Sequence, residues 1–136
     1  MTPRNYLTVI AVVGLAFGLG FLLVPDSLVA LYGLALDPVG RVVGQLFGAT
    51  LLGFAALNWM GRRVHDHDDT AFRPILMANL VSDGLGFFVS VLNQLSGRTS
   101  INALGWSTVL IYLLFALGAA YFLFMPQTRP VVRARP

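Results

Sequence analysis

Residues 74–95 read PILMANLVSDGLGFFVSVLNQL. The run is apolar and long enough to cross a hydrocarbon core of about 30 Å, which takes about 20 helical residues at 1.5 Å each. It carries one charge, Asp83, and a file of polar residues. At about 100° per residue, Asn79, Ser82, Asp83, Gly86, Ser90, Asn93 and Gln94 share a sector of roughly 120°, and Leu80, Val81, Leu85, Phe88, Val91 and Leu92 fall outside it. Such a helix predicts lipid around most of its circumference and protein or water along the polar stripe.

Three further runs have the same length and apolarity. Residues 5–24 end before Pro25, residues 42–60 lie between Arg41 and the pair Arg62 and Arg63, and residues 103–124 end before Pro126. The whole composition agrees: 57% of the 136 residues are hydrophobic and 11% charged, with a mean hydropathy of +0.76. A soluble domain of this size covers its core with charge; a bundle solvated by lipid does not need to. The fold class predicted is all-α, an integral membrane four-helix bundle forming one domain over residues 1–126. A disordered basic tail over 127–136 is expected on the cytoplasmic side.

The connections are short. Residues 25–40 hold Asp26 and Ser27 as N-cap candidates, then an apolar run around Tyr32 and Gly33, and predict a short interfacial helix between the first and second spans. Pro74 suits the first turn of the third span. The first run lacks a small-residue cleavage site, so it is expected to be retained and not removed as a signal peptide. Arg4, Arg62, Arg63, Arg73, Arg129, Arg133 and Arg135 share one side, against Arg41 and Arg98 on the other. The positive-inside rule then puts both termini in the cytoplasm of a bacterial inner membrane. The net charge of +3 belongs to helix ends and tail, where orientation and anionic lipid account for it, and nucleic acid is not an expected partner.

Asp83 is the residue on which function turns. Nine residues in from Pro74 place it ~13 Å deep, close to the midplane. A charge there costs at least about 2.5 kcal/mol, so Asp83 is expected to be paired, hydrogen-bonded or protonated. Tyr112, nine residues in from residue 103, reaches a similar depth and is the predicted partner, with Gln45, Ser107 and Thr108 as alternatives. Two readings of the stripe stand together: polar glue between helices, or the wall of a ligand pocket built on Asn79, Asp83, Ser90, Tyr112 and Gln45.

Gly14 and Gly18 in the first span, and Gly40, Gly44 and Gly48 in the second, recur every four residues and allow close backbone approach, within the chain or to a partner. The group His65, Asp66, His67, Asp68 and Asp69 holds metal-ligand types, but adjacent residues seldom converge on one ion, and a solvated loop with Asp69 or Thr70 capping the third span is expected instead of a metal site. Neither histidine lies in a span, which argues against haem or pigment ligation and leaves no cofactor expected. The chain has no cysteine, so thiol chemistry is excluded, and no catalytic triad, zinc-protease motif or phosphate loop is present; an enzyme is not expected. Trp59, Trp106 and Tyr121 sit near span ends as an aromatic belt.

Residues Pro25-Asp26-Ser27-Leu28 and Leu31-Tyr32-Gly33-Leu34, followed by Arg41, Gly44, Gly48 and Leu57-Asn58-Trp59 before Arg62, resemble small bacterial four-helix membrane proteins of the broad DoxX-like type. The resemblance implies a four-span layout and lends no catalytic residues. The leading expectation is a nonenzymatic accessory or assembly subunit that packs against other membrane subunits or its own copies, in contact with lipid. The alternative is a binder or carrier of a lipid, quinone or other small amphiphile in a pocket around Asp83.

Overall fold

A computed structural model describes residues 2–64, 69–97 and 101–124, with the backbone alone for residues 64 and 69–71. Its regular elements are five helices: α1 (Pro3–Leu23), α2 (Pro25–Ala30), α3 (Pro38–Val64), α4 (Asp69–Ser96) and α5 (Gly105–Phe124). Four stretches, Pro3–Leu23, Pro38–Arg63, Phe72–Ser96 and Gly105–Phe124, are long and apolar enough to cross a membrane. At most 28% of any of their most apolar windows is buried inside the bundle, so the remaining apolar surface faces outward, as lipid solvation requires and water does not favour.

Local chemistry sets the helix limits. Thr2 caps α1, its hydroxyl accepting from Asn5 N–H at 3.2 Å, and Pro3 occupies the first turn, where a missing N–H costs nothing. Val24 leaves helical geometry and Pro25 starts α2 at once. Asp26 and Ser27, expected as caps, therefore lie within α2: proline takes the first helical position, the cap falls on Val24, and no side chain bonds there. Asp26 instead pairs with Arg41 at 3.0 Å on the exposed surface. The short helix closes on Gly33, whose φ of +78° lets Gly33 N–H donate to Ala30 O and Leu34 N–H donate to Val29 O. These bonds satisfy the last carbonyls, and the left-handed backbone between them favours glycine. Asp37 caps α3, accepting from Gly40 N–H at 2.6 Å.

Helices α3 and α4 outrun their apolar cores. Charge ends an apolar run but not backbone hydrogen bonding, and Arg62 and Arg63 in the last turn of α3 suit the negative end of the helix dipole. The third span does not open at Pro74: α4 begins at Asp69 and Pro74 lies inside it. The proline forgoes one helical bond to the preceding turn, while that extra length carries Phe72 into the core at 0% exposure. The caps proposed at Asp69 and Thr70, the 65–68 loop, Arg98 and the 127–136 tail lie outside the described side chains.

The bundle is two antiparallel pairs. In α1 and α3 the backbones nearly touch. A Cβ on Gly48 would lie 2.7 Å from Leu22 N and 2.8 Å from Gly18 O, and one on Gly14 would rest 3.5 Å from the Ala55 methyl. Gly44 meets Phe21 and Pro25 at ordinary contact distance. The predicted glycine faces are thus filled within the chain. In α4 and α5 glycines seat larger side chains: the Tyr112 ring lies on Gly86, and Gln94 lies against Gly105. The two pairs join at the end of the bundle where α1 begins and α5 ends, here called the base. There Tyr6, Leu7, Phe72, Leu76, Ala119 and Phe122 form the buried core, and the Tyr6 ring packs on Gly118 and donates through its hydroxyl to Phe115 O at 2.6 Å. Trp59, Trp106 and Tyr121 point outward near helix ends, with the Arg62 guanidinium 3.3 Å above the Trp59 ring.

Candidate functional site

Above the base the two helix pairs stand apart. Among the described residues one polar contact ties α3 to α4, a reciprocal pair of carboxamides: Asn58 Nδ2 donates to Asn79 Oδ1 at 3.1 Å, and Asn79 Nδ2 donates to Asn58 Oδ1 at 2.6 Å. Both residues are buried, at 0% and 2% exposure. Asn58 Nδ2 also donates to Phe54 O in its own helix. This pin was not foreseen, although the depth count that matched Asp83 with Tyr112 would have found it: Asn58 lies five residues from Arg63 and Asn79 seven from Phe72, on antiparallel helices.

Beyond the pin lies a cavity of about 360 Å³. Phe17 and Phe21 of α1 and Phe47, Leu51 and Phe54 of α3 line one side; Asp83, Ser90, Asn93 and Gln94 of α4 and Thr108, Tyr112 and Phe115 of α5 line the other. The division follows from sequence. Helices α1 and α3 spend their small residues on each other and turn aromatic rings inward, whereas α4 turns its polar stripe inward. The far end is closed by Val29, Tyr32 and Ile101. Asn102 holds this cap in place: its backbone N–H donates to Tyr32 O at 3.0 Å and its Nδ2 to Leu31 O at 2.8 Å. The lining residues most exposed are Phe47, Thr50, Ser82 and Val89. All four belong to α3 and α4, so the mouth opens on the seam between these helices, on the cap side of the asparagine pin.

Asp83 sits in the wall of this cavity at 8% exposure, and its Oδ2 atom is buried with no hydrogen-bond partner. The expected bond from Tyr112 is not made. The Tyr112 ring is seated over Gly86, a turn away along α4, and a Cβ there would come 2.5 Å from its Cε1. The other proposed partners are engaged elsewhere. Gln45 lies outside the cavity and donates to Leu22 O at 3.3 Å; Ser107 Oγ donates to Leu104 O at 2.6 Å; Thr108 Oγ1 donates to the Tyr32 hydroxyl at 3.2 Å. The Tyr6 proton is spent on Phe115 O. Of the five proposed pocket residues, Asn79, Asp83, Ser90 and Tyr112 come together and Gln45 does not.

No arginine is among the described residues that line the cavity. Arg41 pairs with Asp26 and Arg62 stacks on Trp59, both on the outside of the bundle. Among the described residues no cluster of metal-ligating side chains occurs. The chain matches no protein-family model, no curated protein and no solved structure. Its function must therefore be argued from the cavity itself.

Proposed function

We propose that this protein is a nonenzymatic multi-pass membrane protein that binds or carries a small amphiphile in the cavity between its helix pairs, with the polar end of the ligand at Asp83. The observation that carries this reading is the unpartnered, buried carboxylate oxygen in the wall of a cavity of about 360 Å³. Stranding a buried polar atom costs about 1–3 kcal/mol, and more if it is charged. A residue kept only as glue between helices would have found a partner, as Asn58 and Asn79 did. A ligand that brings the missing hydrogen bond recovers that cost on binding.

The mouth on the α3–α4 seam fits the same reading. It faces sideways out of the bundle, toward the acyl chains if the helices span a bilayer, so an apolar molecule can reach the cavity without crossing water. The arginine distribution supports an inner-membrane location with the base of the bundle cytoplasmic. The accessory-subunit reading drew on glycine faces, short loops and the lack of catalytic groups; of these, the glycine faces at Gly14, Gly18 and Gly48 are occupied by this chain's own helices.

The test is purification in a gentle detergent followed by native mass spectrometry. A small molecule retained by the wild type and lost from Asp83→Asn, with unchanged thermal unfolding, is the expected result. Copurification of a protein subunit with no small molecule would replace this reading with the accessory one.

A further inference from the structure

Resting on the amphiphile-binding reading above, we infer that the cavity takes a lipophilic organic monocation, an ammonium whose nitrogen lies at Asp83 and whose apolar body lies among Phe17, Phe54 and Phe115. Charge comes first. Among the described residues the lining holds one carboxylate and no cationic side chain, so an anion meets repulsion and a dication would be left half compensated. A single positive charge neutralises the site, and the pair gains strength from the low dielectric around it.

Hydrogen bonding points the same way. Two of the fold's own donors near the carboxylate are turned elsewhere: Asn79 Nδ2 donates to Asn58 Oδ1, and the Tyr6 hydroxyl donates to Phe115 O. Asp83 is more than nine-tenths buried, and its Oδ2 atom bonds to no other helix. What its Oδ2 atom lacks is a donor, and an ammonium N–H is a donor that carries charge, which makes the stronger kind of hydrogen bond.

The walls then select the kind of cation. A metal ion such as calcium or magnesium takes six or more oxygen ligands and is commonly held by several carboxylates; the described lining offers one carboxylate, and no cluster of metal-ligating side chains occurs among the described residues. Aromatic faces do attract organic ammonium groups, by about 0.5–2 kcal/mol per ring contact. Size narrows the class further. Pockets for small molecules run from about 300 to 1,000 Å³, and about 360 Å³ is near the lower limit. It suits an amine with one ring or a short chain and excludes a diacyl lipid.

The probes are 4-phenylbutylamine and 4-phenylbutanol, which share a body and differ in charge, titrated calorimetrically at pH 7 into the full-length chain in lipid nanodiscs. The amine is expected to bind at least tenfold more tightly than the alcohol, and Asp83→Asn to bring the two within threefold of each other. The wild-type ratio needs no variant, so it decides the matter even if the substitution impairs folding. Equal binding of amine and alcohol would overturn the choice of a cation and leave amphiphile binding standing. Binding of neither probe, with a neutral or anionic small molecule copurifying, would do the same. Binding of neither probe, with nothing copurifying, would overturn both readings.

Discussion

Asn58 and Asn79 should behave as a coupled pair with unequal halves. Two hydrogen bonds join them, at 2.6 and 3.1 Å. Replacing Asn58 by leucine strands both amide groups of Asn79, whose side chain has no other hydrogen bond. Replacing Asn79 by leucine strands only Asn58 Oδ1, because Asn58 Nδ2 keeps its bond to Phe54 O at 2.9 Å. Asn58→Leu should therefore cost more than Asn79→Leu. Bonds between membrane helices average about 0.6 kcal/mol and reach about 1.7, so two of them predict a coupling energy of about 1–3 kcal/mol. The double variant leaves no stranded group, and should be less destabilised than the two single costs added together. The assay is reversible unfolding in mixed detergent–lipid micelles for the wild type, both single variants and the double variant. Single effects that add to within about 0.5 kcal/mol, the ordinary limit for independent sites, would refute the pin. A reversed order of the single variants would refute the bonding pattern assigned here.

Gly48→Leu should separate α1 from α3, because the added carbon meets backbone atoms at 2.7 and 2.8 Å that cannot rotate away; overpacking of about 1–3 kcal/mol or more is expected in the same unfolding assay. Gly53→Leu, where a Cβ meets nothing within 4 Å, should leave stability unchanged. Asn102→Ala removes the side-chain bond to Leu31 O and the cap on Leu104 N–H, and hydrogen exchange over residues 25–34 should accelerate while α1 and α5 keep their protection. Since the chain has no cysteine, single-cysteine labelling can test orientation directly. A membrane-impermeant maleimide applied from outside should label Val39→Cys and spare Thr2→Cys in intact cells, and the opposite pattern would reverse the arginine argument.

The number of long helices was legible because hydropathy integrates over a whole turn and beyond, and no local detail can undo it. Their limits were less so. Residues 42–60 and 74–95 are where the apolar runs lie, but Pro38–Val64 and Asp69–Ser96 are where backbone hydrogen bonding continues. Pro74 shows why: its rule of thumb is that it starts helices, yet here the burial of Phe72 two residues earlier outweighs the lost bond. Asp26 shows the converse, an acid read as a cap that the neighbouring proline displaced into the helix. The glycine spacing of α1 and α3 was legible as close packing, but which surface it would meet was not, since a four-residue spacing describes one helix and says nothing about its neighbour.

The site was half legible for a related reason. Periodicity assigns a face, and the face of α4 that lines the cavity is the one carrying Asn79, Asp83 and Ser90. Depth counting assigns a level, and Tyr112 lines the cavity with Asp83 as that count implied. Neither says what a side chain does on arrival. Gln45 is drawn to the carbonyl of Leu22 near the end of α1, where the chain leaves its helix, and Tyr112 is drawn to the gap left by Gly86. Each satisfies a local demand before it can reach Asp83. The carboxylate is thus left unpartnered by the placement of its neighbours: Gln45, Ser107, Thr108 and the Tyr6 hydroxyl bond elsewhere, and the Tyr112 ring is seated on Gly86. The same division separates the two ends of the molecule. The base is closed by interlocked rings and a carboxamide pin, which fix how far α3 and α4 part, and the cavity above it holds Asp83, whose buried Oδ2 atom has no hydrogen-bond partner within the described residues.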